Sequence, residues 1–299
     1  RHQFRPDFSI FIGRLVGLFI MFMNAKNISK FFFIASLILL FFTVINLLSC
    51  LNVNTTVAHD NSNIKEEFSA EISSITSLSD FKFMIKRKVD AGNIRGIDIP
   101  ILIDDYVRKK FIHGTSYQSS CENWILNVLD TIFPQYFLTV SLDPNDIMLN
   151  SFAACNQQSI IFQDVVKDYD LEYGSVGFYA NKFGHFANAV KVKDKWYFFD
   201  PNLEPKYDRS DPSIFNAVIA ADKKVLESMY RHKINDDIVS LEYIKSDSVR
   251  LRDINKFPAK NGLLIQNITK IISWYGWIFL LLVSMLFYIF EKINIYRRL

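Results

Sequence analysis

Two long apolar runs constrain this chain more than any other feature. The first, FFFIASLILLFFTVINLL (Phe31 to Leu48), contains no charged residue and is long enough to cross a hydrocarbon core of about 30 Å. The second, IISWYGWIFLLLVSMLFYIF (Ile271 to Phe290), carries Trp274, Tyr275 and Trp277 near one end and Tyr288 near the other. Interfacial aromatic belts place such rings at those positions. The runs therefore read as two membrane spans with one globular unit between them, in preference to two buried core helices. The bulk composition agrees: half of the residues are hydrophobic and the mean hydropathy is +0.11, more apolar than an ordinary soluble domain.

Flanking charges orient the spans. Lys26 and Lys30 precede the first run, and the segment after it, LNVNTTVAHDNSN, has neither Lys nor Arg. Lys292, Arg297 and Arg298 follow the second run. Positive-inside bias then predicts cytoplasmic termini and an extracytoplasmic middle, with Lys256, Lys260 and Lys270 on the outer flank as counter-signals. Residues 1–22 read as an upstream extension, because Met21 or Met23 would give a tidy start before a basic region and an apolar run. NLLSC, ending at Cys50, resembles a lipoprotein cleavage site; a signal anchor is the preferred reading, and both leave the middle outside. The expected organisation is a cytoplasmic N-terminus (1–30), a span (31–49), a linker (50–80) and an extracytoplasmic domain (81–270). A second span (271–290) and a cytoplasmic tail (291–299) follow.

Within the middle, residues 52–80 are rich in Asn, Ser and Thr and read as a linker with one short helix. FKFMIKRKV and IPILIDDYVRKKFI read as helices, and SSCENWILNVLDTIFP as a helix capped by Ser119 or Ser120 and stopped by Pro134. In NSFAACNQQSIIFQDVVKDYD, Ile161, Val165 and Tyr169 recur at helical spacing, which puts Cys155 in or near the first turn. The period then changes to two in YGSVGFYA, HFANAVKVK and WYFFD, which read as strands, and PSIFNAVIAADKKVLESMY reads as a helix. Helices followed by an antiparallel sheet predict an α+β fold. A net charge of +3 with no basic block gives no support to nucleic-acid binding. Three scattered cysteines form no disulfide framework, and no HExxH or clustered His/Cys/Asp spacing suggests a metal site, so no cofactor is expected.

The chemistry concentrates in GHFANAVKVKDKWYFFDP, Gly184 to Pro201. A cysteine attacks a carbonyl as thiolate, a form favoured at a helix N-terminus and beside an imidazolium. The base must be held in one tautomer by a third group. Cys155, His185 and Asp200 supply these types in chain order. Parity places His185, Ala187 and Ala189 on one strand face and Trp196, Phe198 and Asp200 on one face of the next. A two-residue turn at Asp194–Lys195 would make the two faces coincide but set Asp200 opposite Ala189, four residues along from His185. The small Ala187 and Ala189 would leave room for the cysteine helix. Cys121 is the competing nucleophile; its other roles are core packing or a disulfide with Cys155 acting as a redox switch. His113 and His59 read as surface residues. For an oxyanion, the Cys155 N–H is the first donor, with Asn150 or Ser151 as a second, and Trp196 would cover the His–Asp pair.

A cysteine heading a helix, followed by HFANAVKVKDKWYFFDPN with its "KW" and "DP" pairs, resembles the transglutaminase-like superfamily, here as a membrane-anchored bacterial member. The resemblance covers residues 145–205. It implies a papain-like core and acyl chemistry: hydrolysis of a peptide or amide bond, or transfer of a glutamine acyl group, through Cys155, His185 and Asp200. The implied partners are a peptide or protein substrate, a cell-wall peptide among them, and the lipid bilayer. The alternative reading is a non-catalytic membrane scaffold or binding module on the same fold.

Overall fold

The computed structural model describes residues 25–50, 67–119, 121–179, 184–234 and 248–296. The expectations for residues 1–22, most of the linker, His59, Ser120 and the Cys50 side chain lie outside the described residues. In chain order the helices are α1 (Ala25–Cys50), α2 (Ala70–Ser73), α3 (Leu78–Gly92), α4 (Asp98–Lys110) and α5 (Trp124–Ile132). They continue with α6 (Pro144–Met148), α7 (Cys155–Val166), α8 (Pro212–Ile219), α9 (Lys223–Ile234) and α10 (Lys260–Tyr296). The strands are β1 (Ile112–His113), β2 (Phe152–Ala153), β3 (Glu172–Tyr179), β4 (Gly184–Val192), β5 (Lys195–Phe199) and β6 (Ser248–Arg252).

The chain divides into two compact units. One takes residues up to 55, 119–136 and 266–299; the other takes 56–118 and 137–265. In the first, α1 and α10 are, among the described residues, the helices long and apolar enough to span a membrane, over Lys26–Leu48 and Lys260–Tyr296. They run antiparallel and meet along a polar seam. Ser29 Oγ donates to Ser284 O at 3.0 Å, Ser36 Oγ to Trp277 O at 2.8 Å, and Thr43 Oγ1 to Ser273 O at 2.9 Å. Small hydroxyl residues of this kind let apolar helices approach closely and bond across the gap. The helix expected from SSCENWILNVLDTIFP also belongs here, as α5, and its cap is Asn123. That side chain accepts from Leu126 N at 3.2 Å and donates to Gln266 O and Thr269 Oγ1 at 3.0 and 2.9 Å. Asn123 serves its own helix and α10 at once, which Ser119 stands too far upstream to do.

The second unit is mixed α and β. β5, β4, β3 and β6 form one antiparallel sheet in that order, and β1 and β2 form a short parallel pair. Period two predicts two faces, and the sheet uses both. Tyr173, Val190, Val192 and Phe199 pack with Phe81 and Ile85 of α3, Ile103 and Val107 of α4, and Ile161, Phe162 and Val165 of α7. Val176, Phe178, Ala187, Ala189 and Phe198 pack on the other face with Phe215 and Val218 of α8 and Leu226, Met229 and Tyr230 of α9. The single helix expected over 212–230 is therefore two, broken where Ala221 takes a left-handed φ of 52° and Asp222 caps α9 through Lys224 N at 3.0 Å.

Two expectations about the hairpin change. Its turn is Lys193–Asp194, both with positive φ (48° and 65°), so that Val192 faces Lys195 and Lys191 faces Trp196. Two left-handed central residues make the turn whose twist matches paired strands. Moving the turn by one residue moves the register by two, which leaves every side chain on its face, so alternation alone could not choose between the registers. The second change concerns the cysteine helix. Ala187 and Ala189 make room for α8 and α9, and α7 packs on the opposite face.

Candidate active site

The N-terminus of α7 is set by matching repeats. Ser159 Oγ donates to Phe186 O at 3.4 Å, and Gln163 Nε2 donates to Asn188 Oδ1 at 2.9 Å. Four helical residues rise about 6 Å and two strand residues about 6.6 Å, so α7 advances in step with β4. One turn before Ser159 is Cys155, and two residues before Phe186 is Gly184. The cysteine therefore stands over the end of the sheet, beside His185. Gln157 holds this end in place. Its Oε1 accepts from Ala154 N at 3.0 Å and Ser116 N at 2.9 Å, and its Nε2 donates to Ser116 O and Ser141 O at 2.7 and 2.8 Å.

The same end of the sheet presents the other two residues. In the observed register Asn188 faces Phe199, so Asp200 falls level with Ala187, two residues from His185. His185 Nε2 and Asp200 Oδ2 are 2.7 Å apart, and both side chains are buried. Cys155 is close enough to His185 to push its ring up; with Nε2 committed to Asp200, the nitrogen left for the sulfur is Nδ1. Cys155 is a free thiol and only part-buried. All three residues singled out by sequence meet in one place.

Asp200 divides its oxygens between two tasks. Oδ1 accepts from Asn202 N and Leu203 N, both at 3.2 Å, closing the turn that Asp–Pro starts. Oδ2 takes His185 and the Tyr230 hydroxyl, each at 2.7 Å. Burial raises the Asp200 carboxyl, but the His185 charge and these hydrogen bonds outweigh it and hold the group below the usual carboxylate range. Burial likewise pulls His185 down, yet the Asp200 charge and the bonds to Asp200 and Cys155 push it up to about 10. At neutral pH the ring keeps its second proton and lies as an imidazolium between the Asp200 carboxylate and the Cys155 sulfur. Arg108, buried and paired with Asp104 at 2.7 Å, donates to Asp200 O at 3.4 Å from behind.

Several surrounding roles differ from expectation. The ring against His185 is Phe178, its cross-strand partner, with centroids 5.4 Å apart; Trp196 stacks on Phe215 instead. The Asn150 amide donates to Ser116 Oγ at 2.7 Å and Asp146 O at 3.1 Å, so it serves no oxyanion, and Ser151 contributes its carbonyl to Ile112 N. The Cys155 N–H, at the first position of α7, has no acceptor within the helix. His113 is no bare surface residue: it lies beside Ala153 in the β1–β2 pair, and its Nδ1 is 3.0 Å from Asn202 Oδ1. Asn202 Nδ2 donates to Ala153 O at 3.3 Å, tying the turn after Asp200 to the strand before Cys155. Cys121 is in a disulfide, and Cys155 is not its partner. That removes both Cys121 as nucleophile and the Cys121–Cys155 switch. Among the described residues no group of His, Cys, Asp and Glu could hold a metal ion.

No family model, no curated protein and no solved structure matches this chain.

Proposed function

We propose that the chain is a membrane-anchored cysteine acyl-transfer enzyme of the transglutaminase-like, papain-like kind, with Cys155 as nucleophile, His185 as acid and base, and Asp200 as the group that orients the imidazole. The observation that carries this reading is the linear arrangement of a part-exposed thiol at a helix N-terminus, a buried imidazole, and a buried carboxylate 2.7 Å from its far nitrogen. Starting from a thiolate–imidazolium pair, the Cys155 sulfur bonds to an amide carbonyl carbon, the C–N bond breaks, and His185 delivers its proton to the departing amine nitrogen. The acyl group is left as a thioester on Cys155. Water then gives one proton to His185 and its hydroxyl to the acyl carbon, the C–S bond breaks, and the carboxylic acid leaves with the thiolate–imidazolium pair restored. Through both steps the Cys155 N–H is the donor suited to the developing oxyanion. Hydrolysis is favoured over transfer to an amine, since no feature among the described residues marks an amine site. The substrate class is a peptide or protein carboxamide, with a cell-wall peptide included.

The membrane part of the proposal is two spans with cytoplasmic termini and the sheet-bearing unit outside. A disulfide at Cys121 supports this, because such bonds persist in oxidising compartments. Lys270, a counter-signal in the sequence, is paired with Glu122 at 3.1 Å, which lowers its weight as a topology determinant. The test is iodoacetamide labelling of Cys155 in the full chain, wild type against His185→Ala and Asp200→Asn. Fast labelling at neutral pH that slows in both variants supports the triad. Equal and slow labelling in all three would make Cys155 an inert thiol and end the enzymatic reading.

A further inference from the structure

The segment 119–136 leaves the sheet-bearing unit at Gln118 and returns to it at Phe137. Its stems are held together, with Gln118 N donating to Thr139 O at 2.7 Å and Tyr117 bridging to Val140. Between the stems the chain packs with the two apolar helices. Trp124 Nε1 donates to Ser273 O at 3.1 Å, Trp274 Nε1 donates to Glu122 O at 3.0 Å, and the Trp124 and Phe42 rings lie 5.6 Å apart. Ser273 stands two residues inside the apolar run that starts at Ile271, so α5 begins level with that end of the run. The two indoles are placed as an interfacial belt would place them.

One side of α5 is satisfied by these contacts, with Leu126 fully buried. The other side is not. Val128, Ile132, Phe133 and Tyr136 are 50, 59, 44 and 59 % exposed, and residues 131–137 contain no charge. Phe133 and Tyr136 form an edge contact with each other, 6.4 Å between centroids. No Lys or Arg occurs anywhere from Phe111 to Val166. An uncharged, aromatic-rich face of this kind is out of place against water. Phe41 of α1 and Phe279 of α10, in the same unit, are exposed apolar side chains as well.

We propose that α5 and the turn after it, Val128 to Tyr136, lie in the headgroup region of the bilayer and present Val128, Ile132, Phe133 and Tyr136 to lipid. The inference rests on the spanning reading of α1 and α10. It adds a third membrane contact, one that buries an apolar face at the level of the headgroups. The hydrogen bonds of Asn123 and Trp124 to α10 set its depth, and its apolar face supplies the binding.

The test uses the full chain carrying Cys155→Ser, reconstituted in phosphatidylcholine–phosphatidylglycerol vesicles. An environment-sensitive fluorophore is placed in turn at Val128→Cys, Ile132→Cys, Leu282→Cys in α10 and Leu149→Cys in the sheet-bearing unit. Quenchers are aqueous iodide and lipids bearing a nitroxide near the headgroup or at the chain end. Positions 128 and 132 are expected to lose most of the iodide quenching seen at 149 and to be quenched best by the headgroup-proximal nitroxide. Position 282 should respond to the chain-end nitroxide. If 128 and 132 respond to iodide as 149 does while 282 is quenched by lipid, the inference falls and the spans stand. If 128 and 132 are shielded from both quenchers, protein covers the face and the inference also falls. If 282 is not quenched by lipid, the spanning reading fails first.

Discussion

Tyr230 and His185 hydrogen-bond the same oxygen, Asp200 Oδ2, each at 2.7 Å. Tyr230 is fully buried in α9, so its hydroxyl has no water to fall back on and donates to the carboxylate throughout. That donation is one of the influences that hold Asp200 below the ordinary carboxylate range. Tyr230 is thus a positioning residue, acting on the imidazole through the carboxylate. Tyr230→Phe keeps the ring and removes the donor. It should cost about 1–2 kcal/mol of stability and move the acid limb of the pH profile of Cys155 alkylation to higher pH, because Asp200 protonates more readily. A purely structural tyrosine would lower the melting temperature and leave the limb in place.

Stability should depend on pH with a sign set by His185. The folded chain keeps the second imidazole proton up to about 10, while an unfolded histidine releases it near 6.5. The stabilisation is therefore complete below pH 6.5 and is lost as the pH rises towards 10. Asp200, held low when folded, contributes above its ordinary value of 3.8 and loses that contribution as the pH falls through its folded value. Buried Lys110 works the other way. Burial lowers it to about 8 from 10.5, so its ammonium opposes folding at low pH and that cost is relieved between 8 and 10.5. Thermal unfolding of the full chain in detergent should show highest stability between about pH 4 and 6.5, a decline from 6.5 to 8, and a shallower slope above. His185→Gln should abolish the decline from 6.5 to 8.

The candidate site was legible because its three members carry strong local signals. Cys155 opens an amphipathic run, and His185 and Asp200 share a parity that a two-residue error in register does not disturb. What the sequence left hidden depends on contacts between distant segments. Tyr230 lies in the second of two helices that read as one, and nothing in PSIFNAVIAADKKVLESMY marks its hydroxyl as a carboxylate partner. His113 and Asn202 matter through a parallel pair of only two residues per strand, too short for any period to register. Asn123 does not stand out from Ser119 and Ser120 as a cap, because its second task, bonding α10, appears only once residues 123 and 266–273 come together. The one missed residue with a readable signal is Gln157: a Gln three residues after a helix start reaches back to the cap in half of a capping box.

The hairpin register gives a prediction that separates the two possible turns. Lys193 and Asp194 both hold left-handed backbone, a conformation that Asn and Gly adopt at lower cost. Replacing the pair by Lys193→Asn and Asp194→Gly should raise stability by about 1 kcal/mol, seen as a higher unfolding midpoint with unchanged Cys155 labelling. Were the turn instead at Asp194–Lys195, residue 193 would sit in strand β4. The same change would then place Asn in a strand and lower the midpoint.

Gln157 offers the sharpest link between packing and reactivity. Its amide makes four hydrogen bonds, all to backbone of the Ser116, Ser141 and Ala154 peptides, and the side chain is fully buried. Gln157→Leu preserves most of the volume and strands those groups without water. The expected loss is about 3–5 kcal/mol, since each buried polar group left unpaired costs on the order of 1–3 kcal/mol and part of that is recovered by relaxation. The effect should reach the thiol, because Ala154 is the cap of the helix that Cys155 opens and a loosened cap lets the sulfur drift from His185. Labelling of Cys155 at neutral pH should therefore slow even at temperatures where the variant remains folded. Gln157→Glu separates the two effects: it keeps both acceptor bonds, to Ala154 N and Ser116 N, and loses both donor bonds to the Ser116 and Ser141 carbonyls. Its labelling should stay closer to wild type than that of the leucine variant if the cap is what positions the cysteine, and should match the leucine variant if the carbonyl bonds to Ser116 and Ser141 are what matter.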